Sequence, residues 1–501
     1  MLILPSLNDD CSVTVLSHLD RRSLLSLAYT SRTALGAARP YLLRTVSLKR
    51  NAEQVREFCQ SVLSHDLAGC IQDLRISRDA LYPTGSDLSM DSDDDPQPSI
   101  FACALADVLE KSTNLKSLEL AGLEKLIECE PRIGAALIAH PPAVSMELSG
   151  IGEEGFTTLS SVRSPPEISL EPAPLFNGRM IRDMHAGDHL AIFLTRNAEW
   201  LQDVVLHGSI SRWLSTFLRH NPLSLPNVRT LTIYPFDIPL RQCAAAFPNV
   251  RCLSADWAEF DIPHGEVLWP DLLSVDGRSP LILYVARCYP NIRRIRLRDK
   301  YHPEPEDEFA ELCDVMQQRT IKSLFLSVDY LPSSEDIDQN SIDWLVSRRI
   351  SPKTFWPQLT HAVPQARFIE VQFRRPDPYT GIAADTLRLL MDSTIVSFGT
   401  VQDLKYVSFI LRCFSYPPKP YHLDTTPSEH PHPTPREIAS FWFAQCLPLE
   451  YVELNLQISG WERTWWRRRL SAEGSSTFCV VRVPEDEGLS ARNRFDYEAC
   501  Q

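Results

Sequence analysis

The sequence lacks the motifs that mark serine hydrolases, P-loop nucleotide sites and zinc proteases. GxSxG, GxxxxGK[ST] and HExxH are all missing from the chain. His185 and His189, the best metal candidates, stand four residues apart without a placed third ligand. We therefore expect no catalytic residue, no metal and no cofactor, and we expect that the chain is not an enzyme.

An excess of positive charge is also missing. The chain carries 50 lysines and arginines against 64 aspartates and glutamates, a net charge of −14. Nucleic acids and anionic membranes bind to basic surfaces, so we expect neither as a partner. No stretch of the sequence approaches the roughly 18–20 consecutive apolar residues of a membrane span.

Paired cysteines are absent as well. None of the 13 cysteines forms a CxxC pair, so neither zinc spacing nor a disulfide framework is visible. The first ten residues, MLILPSLNDD, lack the basic region and the apolar run of a signal peptide. We expect reduced thiols and a cytoplasmic or nuclear location.

The sequence does contain a dense helical pattern within its first 48 residues. Apolar residues recur at the i, i+3, i+4 spacing of two short helices, one around Leu16 and one around Leu24. Asp9 or Asp10 can cap or charge the start of the first helix, and Asp20 can cap the second. Helices this short are marginal alone, so they need a partner surface.

This stretch resembles an F-box. The resemblance is carried by Leu7, Asp10, Val15, Leu16, Leu19, Asp20, Leu24 and Leu27, with Thr30-Ser31-Arg32 before a third helix. The sequence departs from the family at Asn8, where proline is usual, and at Thr30, where valine is usual.

The resemblance implies an F-box-like helical domain over residues 1–45 that binds a Skp-type adaptor and, through it, a cullin. The residues that it assigns to the adaptor or to the F-box core are Leu7, Asn8, Val15, Leu16, Leu19, Leu24, Leu27 and Thr30.

A six-residue template, with apolar residues at positions one, four and six, recurs after the helical start. The apolar-any-apolar end of the template predicts a short strand with one buried face. Three copies follow a Pro-Asn-Val/Ile-Arg lead-in, at Pro226, Pro248 and Pro290. The central apolar residues at 231, 253, 275, 295 and 324 are 22, 22, 20 and 29 residues apart, which is the spacing of leucine-rich repeats.

Helical segments are predicted between these strands, so the expected fold class is α/β. We expect an irregular leucine-rich-repeat-like solenoid of short parallel strands and helices over residues 46–470, and a cap or tail over 471–501. The chain, at 501 residues, exceeds the roughly 250–300 residues of a single compact core, as a repeat array can. The array resembles leucine-rich repeats without their asparagine or cysteine ladder, and its later steps lengthen to 45, 38 and 45 residues. A set of unrelated α/β layers is the alternative.

Two segments have the composition of loops. An acidic insert at about 79–99 has few apolar residues and is expected to be disordered. A proline-rich loop at about 416–435 can form neither a helix nor a central strand.

The F-box resemblance, together with the repeat region, implies the substrate-recognition subunit of an SCF-type ubiquitin ligase, which holds an unknown target protein on its repeats. Arg294 and Arg296, the outward residues of one predicted strand, are the candidate target-binding pair, because arginines can grip an acidic or phosphorylated segment. The competing interpretation is that these arginines only neutralise acids such as Asp276. A non-catalytic repeat scaffold that joins no ligase is the alternative function, and an α/β hydrolase is a third.

Overall fold

A computed structural model gives the fold, and it describes residues 8–81, 98–173, 184–208, 210–220, 223–234, 238–255, 265–301, 306–329, 352–375, 401–413, 433–455, 462–470 and 478–498. The chain divides into two compact units, Met1–Val250 and Arg251–Gln501. Leu7, most of the acidic insert and most of the proline-rich loop lie outside the described residues.

Helices alternate with short strands along the described chain. The α-helices are α1 Asp9–His18, α2 Arg21–Ala28, α3 Arg32–Leu42, α4 Ala52–Ser64, α5 Arg78–Leu81, α6 Ala102–Lys111, α7 Leu123–Cys129, α8 Arg132–Ala139, α9 Glu153–Leu159, α10 Met184–Arg196, α11 Ile210–His220, α12 Leu240–Ala246, α13 Ser279–Cys288, α14 Glu306–Gln317, α15 Pro352–Ala362, α16 Pro435–Gln445 and α17 Glu485–Glu498. Two 3₁₀ turns lie at Ala68–Cys70 and Pro98–Ile100.

Within each unit, the strands follow one another in sheet order as they do in the sequence. They are β1 Thr45–Leu48, β2 Asp73–Ile76, β3 Ser117–Leu120, β4 Ser145–Ile151, β5 Glu167–Pro172, β6 Asp203–His207, β7 Thr230–Tyr234, β8 Cys252–Ala255, β9 Ser274–Gly277, β10 Arg294–Tyr301, β11 Ser323–Asp329, β12 Phe368–Arg375, β13 Tyr406–Cys413, β14 Tyr451–Asn455, β15 Thr464–Leu470 and β16 Phe478–Val483. Pairing is parallel within β1–β7 and within β8–β14, and antiparallel from β14 to β16.

The predicted α/β repeat array is confirmed. The template residues Leu231, Val275, Ile295 and Leu324 lie in strands and are buried. Along β10–β12, Ile295, Leu324 and Ile369 pair in register, so equivalent repeat positions stack on one another. The alternation therefore gives each strand a face whose apolar side chains pack against the helices and an opposite face, which we call the strand face.

Three strands of the first unit, β4, β5 and β6, were not predicted. Met146, Ile168 and Val204 occupy the same buried position in them and pair in register with Leu118 and Leu231 on either side. These segments have the apolar-any-apolar pattern but lack the Pro-Asn lead-in. The first unit is consequently more regular than the sequence template indicates.

Asparagines link successive turns of the first unit. Asn227 Nδ2 donates to the carbonyl of Glu199 at 3.0 Å, and Asn249 Nδ2 donates to that of Pro226 at 2.8 Å. Asn114 Nδ2 bonds the carbonyl of Gly69 in the same way at 2.8 Å. Asparagines that precede the strands thus form hydrogen bonds between repeats, in place of the asparagine or cysteine ladder of leucine-rich repeats.

The eleven cysteines whose side chains the structure describes are free thiols. Cys59, Cys243, Cys313 and Cys446 are buried in the two units, whereas the others are exposed or half-buried. No helix among the described residues is long and apolar enough to cross a membrane.

Candidate docking sites for protein partners

The first candidate site is the module of α1, α2 and α3. Its helices close around a small core of their own, with Leu19 partly buried against it. The buried members of that core are Leu16, Leu24, Leu27, Ala34 and Ala38. Three of the residues that carry the F-box resemblance therefore hold the module together and have little surface left for a partner.

Each helix of the module begins at a capping side chain. Asn8 Oδ1 accepts a hydrogen bond from the Cys11 amide at 2.8 Å, so the unexpected asparagine is the N-cap of α1. Asp10 lies in the first turn, after the capping residue. Asp20 caps α2 as predicted, bonding the Ser23 amide at 2.7 Å, and hydrogen bonds from Ser23 lower the pKa of the Asp20 carboxyl.

The remaining predicted adaptor residues differ in their exposure. Val15 projects from α1 with 45% of its surface exposed. Thr30 is exposed, and its hydroxyl donates to the Leu27 carbonyl at 2.7 Å, which closes the end of α2. Among the described members of the predicted set, Val15 is the apolar side chain that is most open to a partner.

The module exposes four other apolar side chains, which sequence reasoning did not assign to the adaptor. They are Val13, Leu25, Tyr29 and Leu35, and Tyr29 is 88% exposed. Leu25 and Tyr29 stand at i and i+4 and share one face of α2. Thirteen large hydrophobic side chains are exposed among the described residues, and five of them lie within residues 13–35. Such a density is typical of a protein-binding surface.

The second candidate site is the strand face of β10–β14 in the second unit. Arg294 Nε donates to Asp496 Oδ1 of α17 at 2.8 Å, and Ser323 Oγ donates to the same oxygen at 2.8 Å. Arg296 lies 4.0 Å from Asp496. Asp276, which we considered as a partner of these arginines, instead pairs with Arg298 at 2.6 Å. Arg294 is thus neutralised, but by an acid from α17.

The pKa of Asp496 shows that its contact with Arg294 favours the ionised carboxylate. Burial acts to raise the pKa of Asp496, but Arg294 beside it lowers the pKa, and the net pKa lies below the ordinary value. The carboxylate is therefore held ionised against the strand face.

A second ionic group lies farther along the same face. Arg492 of α17 bonds the carboxylate of Glu370 and lies 3.6 Å from that of Glu453. Glu453 also accepts hydrogen bonds from Tyr406 at 2.9 Å and from Arg463 at 2.7 Å. Burial raises the pKa of Glu370, with Glu453 adding to the rise and Arg492 opposing it.

Aromatic rings complete the contact between α17 and the strand face. Phe495 lies among Phe368, Tyr406 and Tyr451, with its ring centre 6.2 Å from each tyrosine ring. A Cβ atom added at Gly488 would come within 2.2 Å of the Trp465 ring, so the helix can approach that ring only because this position is glycine.

The strand face of the first unit is different in charge. A cavity of about 270 Å³ is lined there by Arg75 and by four acids, namely Glu119, Glu147, Glu167 and Asp203. Burial raises the pKa of Glu147, and the neighbouring Glu119 raises it further. This stretch of strand face is therefore acidic, in contrast to the arginine-bearing β10.

One glycine motif was also missed. Residues 150–155 read Gly-Ile-Gly-Glu-Glu-Gly, the GxGxxG spacing, between β4 and α9. The amides of Gly152, Glu154 and Gly155 all donate to the Glu124 carboxylate, at 2.8–3.0 Å. This carboxylate occupies the position that a phosphate would take, so the motif serves packing between α7 and α9.

Within the described ranges, no group of three or more histidine, cysteine, aspartate or glutamate side chains has the arrangement of a metal site. No protein-family model matches the chain, and a comparison with curated proteins finds no match.

Proposed function

We propose that this chain is the substrate-recognition subunit of an SCF-type ubiquitin ligase. The helical module would dock a Skp-type adaptor and, through it, a cullin, and the repeat sheet would hold a target protein. Such a subunit works in the cytoplasm or nucleus and performs no chemistry of its own, because ubiquitin transfer belongs to other subunits.

One observation carries the proposal. The F-box-like leucines of α1–α3 form a core within the module, and the module still exposes five large apolar side chains within residues 13–35. An apolar surface of this kind on a module of about 35 residues is best explained by a protein partner. The parallel repeat sheet that begins at Thr45 then supplies an extended surface for a second protein.

The test is co-purification of a tagged full-length chain with a recombinant Skp-type adaptor. We expect the wild-type chain to retain the adaptor, and Leu25→Glu combined with Tyr29→Glu to reduce recovery at least tenfold. A charge placed in a desolvated apolar contact is costly. Ile138→Glu is the matched control, because Ile138 on α8 is comparably exposed, at 42%, but lies outside the module.

Two results would contradict the proposal. If the wild-type chain retains no adaptor, the receptor role is wrong, and the non-catalytic scaffold remains. If the double variant retains as much adaptor as the Ile138→Glu control, the exposed face of α2 is not the docking surface.

The scaffold alternative is favoured by a specific observation. Leu16, Leu24 and Leu27, which carry much of the F-box resemblance, are at most 8% exposed. A helical cap that only shields the start of the array would bury the same residues. The adaptor experiment separates the two functions, because a cap needs no partner.

A further inference from the structure

Helix α17 packs across the strand face of β10–β14. Its Asp496 contacts β10 and β11, its Arg492 contacts Glu370 of β12 and Glu453 of β14, and its Phe495 contacts the tyrosines of β13 and β14. The helix therefore crosses successive strands and contacts each through a side chain of different chemistry.

The apolar part of this attachment is small. Of the fourteen residues of α17, only Gly488, Ala491 and Phe495 are buried. Leu489 packs against the same cluster, and polar contacts of Glu487, Arg492 and Asp496 supply the rest of the attachment. Ion pairs depend on the charge of both partners, and they can be replaced by equivalent groups from another molecule.

The strand face beneath α17 contains buried polar groups that lack hydrogen-bond partners. Ser408 pairs in register with Glu370 on one side and Glu453 on the other, so it lies between the two carboxylates that Arg492 contacts. Its hydroxyl is buried and has no hydrogen-bond partner, and the same holds for Nε2 of Gln372, two residues beyond Glu370. Buried polar groups in a permanent interface are nearly always paired.

We infer that the strand face of β10–β14 is a binding surface for a short helical segment that carries an arginine three residues before a Phe-Asp pair, and that α17 occupies this surface in cis. A target segment with the same chemistry would displace α17. This step rests on the proposed function only in calling the competing segment a target. It also gives Arg294 a role in binding, with Asp496 holding it until a competitor arrives.

The inference predicts that α17 can be released from a chain that stays folded. Asp496→Arg in the full-length chain places two like charges together at Arg294, so we expect amide hydrogen exchange to accelerate across residues 485–498. A synthetic peptide of residues 485–498 should then bind the variant at least tenfold more tightly than it binds the wild-type chain, because its binding surface is open. Raised ionic strength should weaken that binding.

Two further variants make the test specific. Asp486→Arg is the matched control, since Asp486 is an exposed acid in the first turn of the same helix. It should leave exchange and peptide binding close to wild type. Asp496→Arg combined with Arg294→Asp restores the pair with reversed sign and should restore protection of residues 485–498.

Three results would overturn the inference. In the first, Asp496→Arg leaves the exchange of residues 485–498 unchanged. In the second, the helix is released but the peptide does not bind. In the third, protection is lost throughout β10–β14, which would make α17 a permanent part of the fold. The experiment contains no adaptor, so none of these failures would bear on adaptor docking.

Discussion

Two buried glutamates on the strand face of the second unit contact the same arginine in different surroundings. Glu370 contacts Arg492, and burial raises its pKa in spite of that contact. Glu453 also contacts Arg492 and is bonded by Tyr406 and Arg463 as well. Because their hydrogen bonding differs, we expect removal of the two charges to change the thermal stability in opposite directions.

We predict that Glu370→Gln raises the thermal stability at pH 7. A group whose pKa is raised in the folded state contributes stability that is present below its unfolded pKa, about 4.3 for glutamate, and is lost as the pH rises through the folded pKa. Glutamine keeps the neutral form at every pH, so it should retain that contribution. The expected gain is about 2–4 °C for each kcal/mol recovered, and it should vanish near pH 4.

Glu453→Gln is the control for this measurement. Its carboxylate accepts two hydrogen bonds, and losing a hydrogen bond to a charged group costs about 1.5–3 kcal/mol. We expect a lower melting temperature at pH 7. If both variants shift the melting temperature in the same direction, the surroundings of the two carboxylates do not differ as described.

The sequence predicts the outward direction of Arg294 but not its partner. Strand alternation is local, so the pattern around Ile295 is enough to place both arginines on the strand face. Asp496 lies 202 residues farther along the chain, and no local pattern connects the two. The same separation explains why the role of α17 could not be predicted.

The asparagines that precede the strands join one structural repeat to the previous one. Asn227 and Asn249 each donate to a backbone carbonyl of the preceding turn. We predict that Asn227→Ala and Asn249→Ala each lower the free energy of unfolding by about 0.5–1.5 kcal/mol, the usual net contribution of one hydrogen bond. Urea denaturation of the full-length chain measures the change.

Asn291 provides the control for the asparagine variants. It holds the same place in its Pro-Asn lead-in, yet among the described residues its side chain makes no hydrogen bond that the structure records. Asn291→Ala should therefore leave the unfolding free energy nearly unchanged. An equal loss in all three variants would mean that the asparagines act through turn propensity and not through the inter-turn bond.

At the level of elements, the sequence predicts those strands that follow a recognisable turn. The Pro-Asn lead-in identifies β7, β8 and β10 because proline ends the preceding helix. The template misses β4–β6, and it does not predict the antiparallel pair β15–β16, where the apolar alternation says nothing about strand direction. Similarly, the apolar period of α1 and α2 predicts their core. The exposed Tyr29, at the C-cap of α2, lies outside that period, so it was not predicted to contact a partner.

The whole molecule consists of two compact units, each built from repeats that contact their neighbours. In such an array stability is a sum of local terms, so damage is expected to spread only to adjacent repeats. We predict that Leu170→Ala, at a fully buried position in β5, costs about 2–5 kcal/mol and accelerates hydrogen exchange in β4–β6. Exchange in β12–β14 should stay at its wild-type rate.

The reciprocal variant tests the same point in the second unit. Leu454 is buried in β14, and Leu454→Ala should accelerate exchange around β13–β15 while β4–β6 keep their protection. If either variant accelerates exchange in both units alike, the chain unfolds as one cooperative body and the local description is wrong.

The reactivity of the cysteines can report on the opening of each unit. Cys11, Cys129 and Cys479 are exposed and should react first with a polar alkylating reagent. Burial raises the pKa of Cys59 and Cys313 to about 12, so these thiols stay protonated and inert until their repeats open. Cys59 and Cys243 belong to the first unit, and Cys313 and Cys446 to the second. Mass spectrometry of the slowly labelled thiols would then time the opening of each unit separately, without any engineered probe.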